Sequence, residues 1–336
     1  MRFRKLGAEG PDITTVGFGA WAIGGPWKFG WGAVDDAESA AAIRHAIESG
    51  INWVDTAAVY GLGHSEEVVG RAVAPFDVGS EVFVFTKCGR SWYASNGDDV
   101  VNDLRPESIR FECEQSLKRM RLECIDLYQF HWADFDTGTA LEESWATMLA
   151  LIDEGKIRWA GVCNFNVELL ERCSAVRHVD SAQPPLSMLK RGARTEIIPW
   201  CLNNGTGVIV YSPMQSGLLT GAFDAARLES LSDDDWRRRS PDFQEPNFST
   251  AMALVDRLRP IANEVGCSLA ELAIAWALAV PGVTGAIVGA RSPRQVDGWI
   301  GASDLDLSAE TLNEIAAAID ATGAGSDDAP VVGPRR

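Results

Sequence analysis

Four polar side chains that could carry proton chemistry follow short apolar runs in this sequence. In "INWVDTAAVYG" (51–61) the apolar run ends at Asp55, and Tyr60 comes five residues later. Lys87 and His131 directly follow the next two runs, 81–86 and 125–130. An unperturbed phenol titrates near pH 10, so Tyr60 needs a neighbouring charge such as Lys87 to lower its pKa. Together the four residues predict a proton donor aimed at an oxygen that gains negative charge, as in reduction of a carbonyl or its reverse.

Eight short apolar runs alternate with amphipathic helical patterns, and these must position the polar residues. Continuously apolar runs of this length are typical of strands buried on both faces of a parallel sheet. The pattern predicts an α/β fold, a single (β/α)₈ TIM barrel with an N-terminal β-hairpin and extra C-terminal helices. A doubly wound sheet is the runner-up, weakened because no GxGxxG follows the first strand. The predicted strands lie at 15–21, 51–54, 81–86, 125–130, 157–162, 179–183, 207–211 and 285–289.

We expect one domain over residues 1–320, with a flexible C-terminal tail at 321–336. Helices are predicted after Asp35, from Pro106, over 142–155 and over 269–279. Two long segments, 221–249 and the stretch after Lys87, read as functional or mobile loops.

Further polar residues close the later strands. Asn164, Gln183 and Tyr211 end the fifth, sixth and seventh runs, and Gly289 and Arg291 follow the eighth. Taken singly, each is as well explained by a turn, a cap or a solvated side chain. In a barrel, however, all these strand ends lie at the face that carries active sites. Their joint occurrence therefore favours a functional site.

Composition excludes several classes of partner. The 336 residues carry a formal net charge of −17, which disfavours nucleic acid and anionic membranes as partners. We find neither an apolar run of about 18 residues nor a signal-peptide pattern, so we expect no membrane span. The seven cysteines form no CxxC pair, and with four histidines they predict reduced thiols in the cytoplasm and no metal site. A small-molecule carbonyl or alcohol is the expected partner.

Several motifs in this order resemble the aldo-keto reductase family, over nearly the whole chain. The Asp55, Tyr60, Lys87 and His131 tetrad belongs to "DTAAVYGLGHSEEVVG" (55–70), "TK" (86–87) and "SLKRMRLECIDLYQFH" (116–131). Further matches are "GFGAWAIGG" (17–25), "GKIRWAGVCNF" (155–165), "YSPMQSGLLTG" (211–221) and "GARSPRQV" (289–296). The sequence most resembles the bacterial and plant branches that act on sugars and small aldehydes.

The resemblance implies an oxidoreductase that binds NADPH/NADP+ across the strand ends and uses Tyr60 as the acid. Asn164 and Gln183 would bind the nicotinamide carboxamide, and Tyr211 would stack on the nicotinamide ring. The segment after Tyr211 would follow the pyrophosphate, and three residues after the last strand would hold the adenosine end. The residues implied in these two groups are Ser212, Pro213, Gln215, Gly217 and Leu218, and then Gly289, Arg291 and Gln295.

Two departures from the family pattern touch the cofactor rather than the tetrad. Cys163 stands where the family has a serine, and Gly298 and Trp299 replace a Glu-Asn pair. Since Gly298 offers no carboxylate to a ribose hydroxyl, and Arg291 can grip a 2′-phosphate, we expect a preference for NADPH. Trp299 could stack on adenine or simply pack within its helix.

Aromatic residues concentrate near the predicted site, which favours a pocket wall for an apolar or sugar substrate. The substrate itself is left open among aldehydes, ketones and sugars. Two other functions also stay open: a nicotinamide-binding regulatory subunit with little turnover, and a lyase or isomerase that uses Lys87 as a Schiff-base amine. The predicted pocket residues are Trp21, Trp27, Trp31, Trp92 and Trp132.

Overall fold

Eight parallel strands close into a barrel in the computed structural model, which describes residues 1–93 and 99–328. Each barrel strand coincides with one of the predicted apolar runs. The strands in chain order are β1 (Phe3–Lys5), β2 (Asp12–Thr14), β3 (Val16–Gly19), β4 (Trp53–Asp55), β5 (Phe83–Cys88), β6 (Arg90–Ser91), β7 (Val101–Asn102), β8 (Ile125–Phe130), β9 (Ile157–Cys163), β10 (Ser181–Gln183), β11 (Gly207–Tyr211) and β12 (Gly285–Gly289).

The barrel is built from β3, β4, β5, β8, β9, β10, β11 and β12, which pair in that order, with β12 returning to β3. β1 and β2 form an antiparallel hairpin ahead of it, and β6 pairs antiparallel with β7 in the segment after β5. The predicted (β/α)₈ barrel and N-terminal hairpin are therefore confirmed. Since all eight strands are parallel, their carboxyl ends share one face.

Large side chains fill the barrel interior below that face. Trp53, Phe85 and Leu127 belong to one buried cluster, together with Leu6 and Ile13 from the hairpin region. Gly17 makes room for Trp53, because a Cβ there would lie 2.1 Å from the indole ring. The interior is thus a packed core, which confines any ligand site to the strand ends and the loops beyond them.

The helices pack around the barrel and bury the opposite face of each strand. Among the described residues the α-helices are α1 (Asp36–Glu48), α2 (His64–Val73), α3 (Pro106–Met120), α4 (Leu141–Asp153), α5 (Val167–Val176), α6 (Ile197–Asn204), α7 (Ala225–Glu229), α8 (Asn247–Val265), α9 (Leu269–Leu278), α10 (Pro293–Asp297) and α11 (Ala309–Thr322).

Local chemistry accounts for the helix ends. Asp35 caps α1 by accepting from two backbone N–H groups, and Pro106 occupies the first turn of α3, both as predicted. Ser268 and Glu271 form a reciprocal capping box at the start of α9. In the described part of the chain, no single helix is long and apolar enough to span a membrane, although α8 and α9, bent by 87°, pass that test as a pair.

The two segments predicted as loops are more structured than expected. Residues 221–249 contain α7, two short 3₁₀ helices and the first residues of α8. Their apolar residues Phe223, Phe243 and Phe248 form a buried cluster of their own, which the charged composition of the segment obscured. In the segment after Lys87, residues 94–98 lie outside the described residues.

The chain does not leave the barrel at residue 321, where the flexible tail was predicted to begin. α11 continues to Thr322, and beyond it Ser326 bridges to Lys190 and Asp327 pairs with Arg191. Polar contacts with the segment after β10 therefore hold Ser326 and Asp327 of the predicted tail. Its remaining residues, 329–336, lie outside the described part of the chain.

Candidate active site

The four predicted catalytic side chains meet at the carboxyl ends of three neighbouring strands. Asp55 is the last residue of β4, Lys87 lies near the end of β5, and His131 directly follows β8. Tyr60 stands in the turn after β4, with its backbone N–H bonded to the carbonyl of Ala57 at 3.1 Å. The parallel barrel therefore brings together residues that are up to 76 positions apart in sequence (55 to 131).

Lys87 and Asp55 form a buried ion pair. Lys87 Nζ donates to Asp55 Oδ1 at 2.5 Å and to the carbonyl oxygen of Thr56 at 2.8 Å. Burial alone would lower the pKa of Lys87, but the acidic groups that face it, with the Asp55 carboxylate first among them, together outweigh burial and the pKa of Lys87 is raised. Lys87 is consequently an ammonium at neutral pH.

Tyr60 lies beside this ammonium with its phenol protonated. Its hydroxyl oxygen is 3.5 Å from Lys87 Nζ, a weak contact, and the ammonium lies 5.2 Å from the ring centroid. Burial raises the pKa of Tyr60 to about 12, although the charge of Lys87 acts to lower it. The expectation of a lowered phenol pKa was wrong for this reason: removal from water outweighs the neighbouring cation. A protonated phenol suits a proton donor.

His131 completes the group as a neutral imidazole. Its ring meets the Tyr60 ring edge to face, with centroids 5.6 Å apart. Burial, and then the charges of Lys87 and Arg90, hold the pKa of His131 well below its usual value. Among the described residues its Nδ1 is buried and has no hydrogen-bond partner. A neutral imidazole next to Tyr60 can hydrogen-bond an oxygen without competing for the proton.

A second group of side chains lies at the ends of β9, β10 and β11. Asn164 follows β9 in the left-handed backbone region, with a φ of 60°. Its Nδ2 donates to the carbonyl oxygen of His131 at 3.0 Å, and Tyr211 donates its hydroxyl to Asn164 Oδ1 at 2.8 Å. Cys163 fills the position before it, with its sulfur 3.1 Å from Asn164 Nδ2. Gln183, at the end of β10, donates to Asp55 Oδ2 at 2.9 Å. These contacts join the second group to the catalytic one.

The segment after Tyr211 is a tightly turned stretch of backbone. Ser212, Gln215 and Ser216 all have positive φ values, between 47° and 57°. Non-glycine residues seldom adopt this region, and such backbone is concentrated at ligand-binding sites. Gln215 directs its side chain inward, accepting from Ser187 at 2.9 Å and donating to Asp242 at 2.8 Å. Its side chain therefore anchors the turn.

Two other residues predicted to bind the cofactor through this segment are buried. Pro213 is buried, and Leu218 packs among phenylalanines that include Phe223 and Phe243. Gly217 lies between them with a φ of 101°, a conformation that favours glycine. In this arrangement the backbone, rather than these side chains, remains available to a ligand.

Beyond β12, Arg291 and Gln295 contact each other. The backbone N–H of Arg291 donates to Gln295 Oε1 at 2.7 Å, and Arg291 Nη1 donates to the carbonyl oxygen of Trp31 at 3.0 Å. Gly289 lies exposed at the end of β12. Trp299 is 3% exposed and belongs to the main core, so of its two predicted roles the structure supports packing.

The predicted aromatic residues divide into two clusters. Trp21 and Trp31 meet edge to face at 5.3 Å, and the Trp21 ring lies 6.3 Å from that of Tyr60. Trp92 packs instead on the turn that carries Tyr60, in a cluster that Trp27 also contacts. Trp132 is half-buried beside His131, and within the described residues it makes no ring contact with either cluster.

Comparison with known proteins agrees with this geometry. The model of the aldo/keto reductase family matches residues 15–320. The chain is 33% identical to the aldo-keto reductase YhdN of Bacillus subtilis over 316 residues, covering 94% of this chain and 92% of that protein. The chain belongs to the aldo/keto reductase family.

Two further relatives define the range of activities nearby in this family. The NADH-specific methylglyoxal reductase of Escherichia coli is 32% identical, over 95% of this chain and all of that protein. A glycerol dehydrogenase structure from Gluconobacter oxydans superimposes with a TM-score of 0.84 at 35% identity, covering 99% of this chain and 98% of the other. These names describe small carbonyl and polyol chemistry, with one member that uses NADH.

Family members use a nicotinamide cofactor, and the residues present at the strand ends fit one. Gln183 and Asn164 bring two side-chain amides to the ends of β10 and β9, and an amide is the kind of group that can pair with a carboxamide. Tyr211 is half-buried at the end of β11, which leaves part of its ring accessible for stacking. The turned backbone of Ser212 and Ser216 suits the close approach of a phosphate.

Sequence reasoning missed several residues that contact the candidate site. Gln129 in β8 donates to Asp55 Oδ2 at 3.2 Å and accepts from Gln183 at 3.1 Å. Trp236 packs on Trp21 with ring centroids 5.0 Å apart. Gln129 is a polar residue near the carboxyl end of the run "IDLYQF", and this position was an available signal for it. No local signal identified Trp236, because only the fold of 221–249 brings it to Trp21.

Charged residues of the same segment were also missed. Arg237 and Asp235 form a buried ion pair at 2.6 Å, and the Arg237 guanidinium lies 4.5 Å from the Trp31 ring centroid. Arg237 also lies close enough to Arg291 to contribute to its lowered pKa, after burial as the main cause. Arg291 therefore supplies positive charge at the predicted adenosine end, whereas Asp235 balances the charge of Arg237 beside it.

Proposed function

We propose that this protein is an NADPH-dependent oxidoreductase that reduces an aldehyde, ketone or sugar carbonyl reversibly to the alcohol. The main observation that supports this proposal is the position of Tyr60 beside the buried Lys87–Asp55 pair, with neutral His131 next to it. Family membership supports the reaction class. The bound nicotinamide would supply or accept the hydride.

Residues of the protein would orient the carbonyl oxygen of the substrate and supply its proton. Tyr60 donates its hydroxyl proton to the carbonyl oxygen as negative charge develops there. Lys87 stabilises the phenolate left behind, and Asp55 keeps Lys87 charged. His131 hydrogen-bonds the same oxygen and orients the carbonyl. Trp21 stands beside Tyr60 as a wall of the substrate pocket. Reversal of the same transfers oxidises the alcohol.

The Lys87–Asp55 pair argues against the lyase alternative. A Schiff-base lysine must be neutral to attack a carbonyl, whereas the Asp55 carboxylate raises the pKa of Lys87. A regulatory subunit with little turnover would retain cofactor binding without needing the tetrad. The intact tetrad therefore favours the enzyme.

Localisation in the cytoplasm is part of the proposal. All seven cysteines are unpaired in the structure, as expected of thiols kept in a reducing compartment.

The deciding experiment is consumption of NADPH and NADH with a panel of aldehydes, ketones and sugars. We expect turnover of at least one substrate class, and NADPH binding without turnover across the panel would support the regulatory subunit instead. Tyr60→Phe should lower turnover by about 10²–10⁴-fold, the usual scale for general acid catalysis, and leave cofactor affinity unchanged. Tyr128→Phe is the matched control, since Tyr128 is a buried tyrosine on the helix-facing side of β8. Near wild-type rates for Tyr60→Phe would exclude Tyr60 as the donor.

A further inference from the structure

Gln129 connects the catalytic and cofactor halves of the site. It lies in β8 with no exposed surface and contacts Asp55 and Gln183 at once. A buried polar side chain is stable only when its hydrogen bonds are satisfied, so the network restricts how each amide is turned.

The Asp55 carboxylate and the Gln129 side-chain oxygen together determine the orientation of the Gln183 amide. An ionised carboxylate only accepts hydrogen bonds, so each glutamine must turn its NH₂ group, not its oxygen, towards Asp55 Oδ2. Gln183 Nε2 uses one hydrogen for Asp55 at 2.9 Å and the other for Gln129 Oε1 at 3.1 Å. Both of its donors are then used within the protein.

This leaves Oε1 as the one polar atom of the Gln183 amide whose hydrogen-bonding capacity the strong donors and acceptors of the protein do not fill. It lies 3.6 Å from Cys163 Sγ, a weak donor and therefore a weak competitor for the oxygen. An amide flip would aim the oxygen at Asp55 Oδ2 and Gln129 Oε1, two acceptors, which makes the flipped form unfavourable. Gln129 contributes one of the two acceptors that prevent it.

We propose that Gln129 is a positioning residue that fixes the Gln183 amide with its oxygen towards the cofactor, so that the site selects a nicotinamide bearing a carboxamide N–H donor. This inference rests on the proposed use of a nicotinamide cofactor.

The test compares dissociation constants for the oxidised dinucleotide and for its 3-acetylpyridine analogue, in which a methyl ketone replaces the carboxamide and removes that donor. One neutral hydrogen bond is worth about 1 kcal/mol, so wild-type protein should bind the natural cofactor about fivefold more tightly. In Gln129→Met, which keeps the length but not the hydrogen bonds, we expect the preference to fall below about twofold. Affinity for the analogue should change little.

Tyr128→Phe, on the neighbouring position of β8, is the control and should keep the wild-type preference. If Gln129→Met does not fold, Gln129→Asn retains an amide but is one methylene too short to make both contacts.

Each other outcome contradicts the inference. A Gln129 variant that binds both dinucleotides more weakly by the same factor would show that Gln129 has only a structural role. Equal affinity of the wild-type protein for the two dinucleotides would show that Gln183 does not accept from the carboxamide. Failure of the wild-type protein to bind either dinucleotide would instead overturn the proposed function itself.

Discussion

The site is built in two different ways on its two sides. On the catalytic side, Asp55, Lys87 and Gln129 lie on strands, and each is at most 2% exposed. Around the predicted adenosine end and segment 221–249, Arg291 and Trp236 come from loops and short helices and keep part of their surface in water. Strands fix buried charges where displacement would change the chemistry. Loops suit the part of the site that a large ligand must enter and leave.

The largest loss of activity is expected from a substitution at Lys87, on the catalytic side. Lys87→Met removes the cation that we expect to stabilise the Tyr60 phenolate, and we expect carbonyl reduction to fall by at least about 10³-fold. Because the change also leaves the Asp55 carboxylate buried without its cation, about 3–5 kcal/mol of stability is at risk. Asp55→Asn/Lys87→Met removes both charges and is the control for folding.

The same residue separates the two proposed chemistries. Borohydride added with a carbonyl substrate should leave the mass of wild-type Lys87 unchanged. A trapped adduct at Lys87 would show that it is a nucleophile, and the role of a fixed charge would be wrong.

The catalytic side was largely predictable from sequence. Polar residues at the ends of apolar runs were enough to predict that Asp55, Lys87 and His131 lie close together, because parallel strands in a barrel end on one face. The pKa of Tyr60 was not predictable in this way. Its direction depends on how far burial outweighs the charge of Lys87, which requires the packed structure.

Glu112, a buried acid in α3, should make the stability of the protein depend on pH. Glu112 in α3 accepts from the backbone N–H of Gly89 and from Ser108, both at 3.3 Å, and among the described residues its Oε2 is buried without a partner. Burial raises the pKa of Glu112 to about 8 from an ordinary value of 4.5. The folded protein therefore holds this proton more tightly than the unfolded chain. That contribution is complete below about pH 4.5 and is lost as the pH rises through 8.

The Glu112→Gln variant should therefore become more stable relative to the wild-type protein as the pH rises from 5 to 9. At about 1.4 kcal/mol per unit of pKa shift, the difference in unfolding free energy should change by up to about 4 kcal/mol. Denaturant unfolding at several pH values measures it. The exposed Glu114, on the same helix, supplies the control Glu114→Gln. A difference that does not vary with pH would mean that Glu112 is not protonated in the folded protein.

On the cofactor side, Arg291 should decide between the two dinucleotides. Its Nη1 is engaged by the Trp31 carbonyl, which leaves other guanidinium donors for a 2′-phosphate. Arg291→Ala should weaken NADPH binding by about 1.5–3 kcal/mol, the scale of a charged hydrogen bond, and barely affect NADH. Arg294→Ala, an exposed arginine of α10, is the control. An equal loss for both cofactors would show that Arg291 does not recognise the 2′-phosphate, in line with the NADH-specific relative.

The cofactor side was predicted less completely because its contacts depend on how loops fold back. Motifs in the sequence predicted cofactor-binding roles for Arg291 and Tyr211, but no motif indicated that Arg237 would lie over Trp31. Segment 221–249 was read as charged and irregular, whereas Phe223 and Phe243 anchor it to a small core. Long-range packing of this kind leaves no periodic pattern in the sequence.

The smallest effect on function is expected from a substitution at Trp236, where segment 221–249 passes over the candidate site. The ring centroid of Trp236 lies 5.0 Å from that of Trp21 and 5.8 Å from that of Trp31, and the Trp236 backbone N–H donates to the Gly30 carbonyl at 3.3 Å.

We expect segment 221–249 to act as a lid that closes over bound cofactor, so hydrogen exchange in this segment should slow when the dinucleotide is added. Trp236→Ala removes aromatic pairs worth about 0.5–1.5 kcal/mol each, so cofactor release should accelerate by several-fold, roughly two- to twelvefold for one such pair. The rate of the chemical step in single turnover should stay unchanged, since Trp236 does not touch the Lys87–Asp55 pair. Equal exchange with and without cofactor would show that the segment is a fixed wall, and would remove the contrast in mobility between the two sides.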